Sequence, residues 1–126
     1  EDGGSIYKPH NYPKNAIAYT GTHDNDTLIG WRDTAAMEDI AQAKEYFGIG
    51  KDDPFHWCLM KGVWRSPANT AIVHAQDLLG IGTEGRINRP STLGGNWEWR
   101  ARPNVFSDRL AEKLRRNMKL YGRCLD

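Results

Sequence analysis

Strand-like apolar runs that alternate with helical repeats predict a parallel α/β architecture for this chain. Three observations carry the prediction. Residues 16–20 (Ala-Ile-Ala-Tyr-Thr) and 70–75 (Thr-Ala-Ile-Val-His-Ala) are short, nearly continuous apolar runs bounded by turn residues, the form of strands buried in a parallel sheet. Segments with apolar residues at helical spacing lie between and after them. The chain has 126 residues, a length that suits about one domain and is too short for a complete (β/α)₈ barrel of ~250 residues. Two strands cannot cover both faces and both edges of a parallel sheet. The pattern is therefore expected to be the last part of a larger α/β protein, with residues 1–126 forming one partial domain. The opening Glu1-Asp2-Gly3-Gly4, without an initiator Met, also reads as the start of a fragment.

The elements follow in order. Gly3, Gly4, Pro9, Asn11, Pro13 and Asn15 make residues 1–15 a turn-rich lead-in. Gly21 ends the first strand, and the polar cluster Thr22-His23-Asp24-Asn25-Asp26-Thr27 forms the loop after it. Asp33 or Thr34 is expected to cap the next helix, with Met37, Ile40, Ala41 and Phe47 on its apolar face and Gly48 as its left-handed terminus. Asp53-Pro54 opens a second helix, as N-cap and first helical residue, with Trp57, Met60, Val63 and Trp64 as its stripe; Ser66-Pro67 stops it. The second strand runs into Gln76-Asp77, with a short helical turn at Leu78-Leu79. Residues 80–99 form a long irregular stretch, a length that in a compact domain marks function or disorder; its two Trp argue for function. Ser107 caps the last helix, whose stripe is Leu110, Leu114, Met118 and Tyr121, and Gly122 ends it.

Composition excludes several classes. A net charge of +1 gives no broad footprint for nucleic acid. Basic residues do gather from Ser107 onward, six Lys or Arg against three acids, the solvated face of a helix. No apolar run approaches the ~18 residues of a membrane span, and no signal peptide opens the chain. Cys58 and Cys124 stand far apart, so free thiols and a cytoplasmic location are expected.

Several strings carry no chemistry. Gly80-Ile81-Gly82-Thr83-Glu84-Gly85 matches a dinucleotide motif in letters, but Pro90 and the following loop leave no helix to receive a phosphate. Asp24-Asn25-Asp26 resembles the start of a calcium loop, yet Ile29 stands where its glycine belongs and Leu28 replaces an oxygen ligand. Asn25-Asp26-Thr27 is a glycosylation sequon on paper, in a chain that shows no export signal.

His23-Asp24 is the strongest local signal. Residues just past a parallel strand's C-terminal end face the active-site crevice of α/β folds. A carboxylate and an imidazole there grip hydroxyls, stabilise a developing cation or bind metal; the same residues also serve as a loop or helix cap. Asp77 sits in the equivalent place after the second strand. Further ligands for a metal are sparse, because His56 falls in a helix and His74 within a strand. The cluster Gly94-Gly95-Asn96-Trp97-Glu98-Trp99-Arg100 sets flat apolar plates beside hydrogen-bonding groups, which suits sugars, although two Trp also serve to cover the end of a barrel. Arg86 and Asn88 are further polar candidates on that loop, and Trp31 is either a stacking plate or core cover.

Tyr19-Thr20-Gly21-Thr22-His23-Asp24-Asn25-Asp26-Thr27 with Gly30-Trp31 resembles the amylomaltase family of 4-α-glucanotransferases, family 77 of the glycoside hydrolases. Gln76-Asp77-Leu78-Leu79-Gly80-Ile81-Gly82 with Glu84, Arg86, Asn88 and Pro90 is similar to that family's downstream signature, as is the cluster 94–100. The three motifs stand in the family's order, and the resemblance covers roughly residues 5 to 122. It implies the last two βα units, strands seven and eight, of a (β/α)₈ barrel that is incomplete alone. It implies transfer of α-1,4-glucan segments between maltooligosaccharides with retention of configuration and without metal or organic cofactor. The expected partners are maltooligosaccharides, α-1,4-glucans and the missing N-terminal part of the barrel.

By the same resemblance, Asp24 matches the carboxylate that stabilises the transition state and His23 its neighbouring hydroxyl ligand. Asn88 and Pro90 match the loop near the same subsite. Asp77, Asn96 and Trp97 match signature positions counted among the substrate-binding candidates; for these and Arg86, loop scaffolding is expected before direct contact. The family's nucleophile and acid/base lie on earlier strands and have no match in residues 1–126. Plant disproportionating enzymes share the motifs, which implies a plastid location for a plant protein. The competing readings are a non-catalytic carbohydrate-binding module built on the Trp-rich loop and a metal-dependent hydrolase using His23, Asp24 and Asp26.

Overall fold

Two parallel strands lie side by side in the computed structural model, which describes residues 3–124. Strand β1 spans Ile17–Tyr19 and β2 spans Thr70–Ile72. They pair in register, Ile17 with Thr70, Ala18 with Ala71 and Tyr19 with Ile72. Flanking bonds extend the ladder, from Thr70 N to the Ala16 carbonyl and from Thr20 N to the Ile72 carbonyl. The second strand stops before residues 73–75; His74 is not in the sheet but at the N-terminus of the next helix.

The two sheet faces differ. Ala18 is buried and packs with Val63 and Ala68, Ala71 lying against them. Ile17, Tyr19 and Ile72 point the other way and remain 54%, 46% and 41% exposed. Strands buried on both faces were expected; among the described residues, only one face is covered.

Among the described residues there are five α-helices: α1 (Leu28–Thr34), α2 (Met37–Phe47), α3 (Phe55–Trp64), α4 (Ala75–Leu79) and α5 (Asp108–Leu120). Helix α1 escaped the sequence reading. Its seven residues include Gly30 and an aromatic, weak helix formers, and too few for a hydrophobic period to show. Thr27 caps it, the side-chain oxygen accepting from Gly30 N. Asp33 and Thr34 therefore lie in its last turn and do not cap α2, whose N-cap is Ala36 with no side-chain bond. On α2, Ile40, Ala43 and Phe47 reach the core, whereas Met37 is 87% exposed and Ala41 also faces out. Gly48 terminates α2 at φ +65°, the left-handed cap expected of it.

Helix α3 is the centre. Pro54 is its N-cap and Asp53 instead accepts from Gly50 N, one residue off the expected start. Phe55, Trp57, Leu59, Met60, Val63 and Trp64 are all buried, because α3 carries the sheet on one side and other helices on the rest. Trp57 and Trp64 meet edge to face at 5.4 Å. Leu110, Leu114 and Met118 of α5 and Tyr121 at its C-cap pack against this cluster, the stripe expected from the sequence. Lys113 lays its ammonium over the Trp57 ring at 3.8 Å. Beyond α5, Arg123 donates to the carbonyls of Trp64, Ser66 and Ala68, satisfying acceptors that the end of α3 leaves open.

Candidate functional site

The loops that follow β1 and β2 leave the same end of the sheet, and a buried carboxylate joins them. Asp77, on α4, is 2% exposed. Its Oδ1 accepts from Leu28 N at 2.9 Å and its Oδ2 accepts from the Thr20 hydroxyl at 3.0 Å. Both ends of the 20–28 loop are thus tied to one side chain. Burial and these two bonds make Asp77 an anchor for the loop. Thr83 adds a second tie, its hydroxyl donating to Asp26 Oδ2 at 2.8 Å. Gly30 permits this approach, since a Cβ there would overlap both Asp26 and Thr83.

Above that layer the loop turns tightly. Asn25 Oδ1 accepts from both the backbone N and the hydroxyl of Thr22. His23 and Asp24 sit at the apex, with side chains 54% and 49% exposed. Asp24 Oδ1 accepts from Asn88 Nδ2 at 2.7 Å and lies 3.4 Å from His23 Nε2. Among the described residues no hydrogen bond reaches Asp24 Oδ2. One oxygen is anchored and the other is left free of such bonds on a half-exposed side chain.

The 86–99 loop closes over this apex. Arg86 donates through Nε to the Asn88 carbonyl at 2.9 Å and through Nη2 to the Asp24 carbonyl at 2.7 Å. Trp97 brings its ring to 5.1 Å from the His23 imidazole, tilted by 39°, and stays 59% exposed. Its backbone is left-handed at φ +63°, uncommon for a bulky residue, and Trp97 N donates to the Ile87 carbonyl at 2.8 Å. Asn96 spends its amide within the loop, accepting from Arg89 N and donating to the Thr92 hydroxyl. Pro90 is exposed beside it.

The structure therefore gathers His23, Asp24, Asn88 and Trp97 at one surface, with Asn96 and Asp77 as supports. Thr20, Thr83 and the bridging role of Arg86 were not singled out from sequence. A single hydroxyl or guanidinium carries no spacing signal, and the partners of Thr20 and Thr83 lie 57 residues away.

His23, Asp24 and Asp26 do not converge, since Asp26 turns down to Thr83 and Thr27 N. Among the described residues no group of three or more His, Cys, Asp or Glu could hold a metal ion. His56 is half-buried on α3, and burial, reinforced by Lys113, holds its imidazole below the usual range. No helix of the described chain is long and apolar enough to cross a membrane. Residues 80–85 form no phosphate cradle: Gly80 closes α4, and Thr83–Gly85 is a single 3₁₀ turn.

This geometry can be set beside known proteins. Residues 1–106 match the family model described as 4-alpha-glucanotransferase, glycoside hydrolase family 77. A 4-alpha-glucanotransferase of Clostridium butyricum is 51% identical over 124 residues, covering 98% of this chain and 26% of the relative. The chloroplastic/amyloplastic 4-alpha-glucanotransferase of Arabidopsis thaliana is 42% identical over 118 residues, covering 91% of this chain and 20% of the relative. An amylomaltase from Streptococcus agalactiae, solved in complex with acarbose, superposes with a TM-score of 0.92 at 35% identity, covering 98% of this chain and 25% of that one. The chain thus spans about a quarter of the length of the relatives it matches.

Proposed function

Because the chain belongs to the 4-alpha-glucanotransferase family, glycoside hydrolase family 77, we propose that it supplies one wall of a glucan-transferring active site. The observation that carries the reading is Asp24: a half-exposed carboxylate whose Oδ1 accepts from Asn88 and lies beside His23, itself against Trp97, while no hydrogen bond among the described residues reaches Oδ2. Acarbose in the related amylomaltase supports a sugar as the ligand. The bare sheet face of Ile17, Tyr19 and Ile72 is read as the inside of a (β/α)₈ barrel, with β1 and β2 as its last two strands.

The chemistry of this reading is what membership of the family implies. A carboxylate elsewhere in the complete enzyme attacks the anomeric carbon of an α-1,4-linked glucose while a carboxylic acid protonates the leaving oxygen. The 4-hydroxyl of an acceptor sugar then attacks the glycosyl-enzyme in place of water, giving its proton to the group that acted as acid. Asp24 Oδ2 accepts from ring hydroxyls beside the anomeric carbon. Those bonds strengthen as the ring gains positive charge, so they lower the barrier more than they tighten substrate binding. His23 holds a neighbouring hydroxyl, and Trp97 offers an apolar plate to the sugar's face.

The test is disproportionation of maltotriose. The complete enzyme containing residues 1–126 is expected to release glucose and form longer oligosaccharides while the total number of molecules stays constant. The 126-residue chain alone is expected to release none, since it holds one of the three carboxylates required. Glucose release by the isolated chain at the complete enzyme's rate would overturn the proposal, as would failure of the complete enzyme to transfer.

A further inference from the structure

We propose that Arg86 is the positioning residue that sets the orientation of the Asp24 carboxylate, by clamping the two active-site loops with one edge of its guanidinium. The proposal rests on the reading of Asp24 given above and adds what fixes its geometry.

Nε–H and Nη2–H point from one edge of the planar guanidinium, and their separation is set by covalent geometry. In this chain Nη2 takes the carbonyl of Asp24 and Nε takes the carbonyl of Asn88. One carbonyl belongs to the loop after β1 and the other to the loop after β2. The side chains that leave those two backbone points meet each other, Asn88 Nδ2 on Asp24 Oδ1 at 2.7 Å. The contacts form a closed circuit: Asp24 backbone, Arg86, Asn88 backbone, Asn88 amide and Asp24 carboxylate. Removing the guanidinium opens the circuit at both backbone points at once.

Arg86 is itself well held. Its backbone N donates to the Thr83 carbonyl, and the preceding Gly85 is buried with its carbonyl taken by Gln76 Nε2. The residues that flank Asn88 are bonded within their own loop, the Ile87 carbonyl accepting from Trp97 N and Arg89 N donating to Asn96 Oδ1. Those bonds do not reach the loop after β1, and the backbone tie from Asn88 to Asp24 runs through Arg86. Without that amide, Asp24 Oδ1 keeps only His23 at 3.4 Å, and a half-exposed carboxylate is free to rotate about its side-chain torsions. Lysine cannot replace the clamp, because a single ammonium presents no planar pair of donors at fixed spacing.

The effect is expected on kcat. The hydroxyl bonds of Asp24 matter most when the sugar is cationic, and a displaced group loses transition-state contacts before ground-state binding. In the complete enzyme acting on maltotriose, Arg86→Ala should lower kcat by roughly 10- to 100-fold with KM changed less than about threefold. Asn88→Ala should do the same. The double variant should be no slower than the slower single, since both open one circuit. Arg86→Lys should recover part of the rate, and it carries the test if Arg86→Ala fails to fold. Arg86→Ala or Arg86→Lys within twofold of the parent kcat would overturn the proposal. So would losses that multiply in the double variant, or a loss carried in KM alone. A parent enzyme that transfers glucan and loses activity in Asp24→Asn, yet tolerates Arg86→Ala, refutes the clamp and leaves the reading of Asp24 standing. A parent that does not transfer refutes that reading itself.

Discussion

Around Met60 every neighbour in the core cluster is apolar, and the side chain has no exposed surface. Around Asp24 the side chain is half exposed, and its contacts are a 2.7 Å amide bond and an imidazole. The helical layer is held by area removed from water, a force without direction. The loop end is held by directional bonds: Asp77 to Leu28 and Thr20, Thr83 to Asp26, Arg86 to Asp24 and Asn88. A site that must aim an oxygen to within a fraction of an ångström needs the second kind of force, and a scaffold needs the first.

That division can be broken by substitution. The largest effect is expected from Asp24→Asn in the complete enzyme, a fall in kcat of about 10²–10³-fold. Thermal unfolding should stay unchanged, because a half-exposed side chain contributes little to burial. A near-normal rate by glucose release would reduce Asp24 to a loop cap. Met60→Ala is the converse. It should cost about 2–5 kcal/mol in denaturant unfolding, with the folded fraction keeping its kcat.

Asp77→Ala should cross the division, because it leaves Leu28 N and the Thr20 hydroxyl without their acceptor at a buried point. A loss of about 1–3 kcal/mol is expected, together with a lower kcat as the 20–28 loop loosens. Stability lost with kcat unchanged would show that the loop keeps its shape without Asp77.

The smallest effect concerns pH. His56 is held below its usual pKa of 6.5 in the folded chain, so the unfolded chain takes up the proton first. Its contribution to stability is complete above pH 6.5 and is lost as pH falls from there through the folded value. His56→Gln should flatten that part of the stability profile, read from denaturant midpoints at several pH values. An equal slope in parent and variant would assign it to other groups.

How much of this was legible depended on the distance over which each feature is encoded. Gly48, Ser107 and the α5 stripe were readable because a cap and a helical period are local patterns. Asp33 and Thr34 misled as caps of α2 because they end α1, a helix too short to show a period whose own cap, Thr27, sits inside a polar cluster. Met37 and Ala41 misled because α2 packs along Ile40, Ala43 and Phe47, a choice made by where α3 lies.

By itself the sequence determined the α/β alternation, the family resemblance and the candidates His23, Asp24, Asn88 and Trp97, since backbone preferences and motif strings are properties of neighbouring residues. Only the tertiary structure decided which groups meet. Asp24 and Asn88 are 64 residues apart in the chain and 2.7 Å apart in space, and Thr20 finds Asp77 across 57 residues. The parallel pairing of β1 with β2 brings their following loops together at one end. Directional hydrogen bonds then turn that proximity into a carboxylate held at one oxygen, a relation that no local pattern carries.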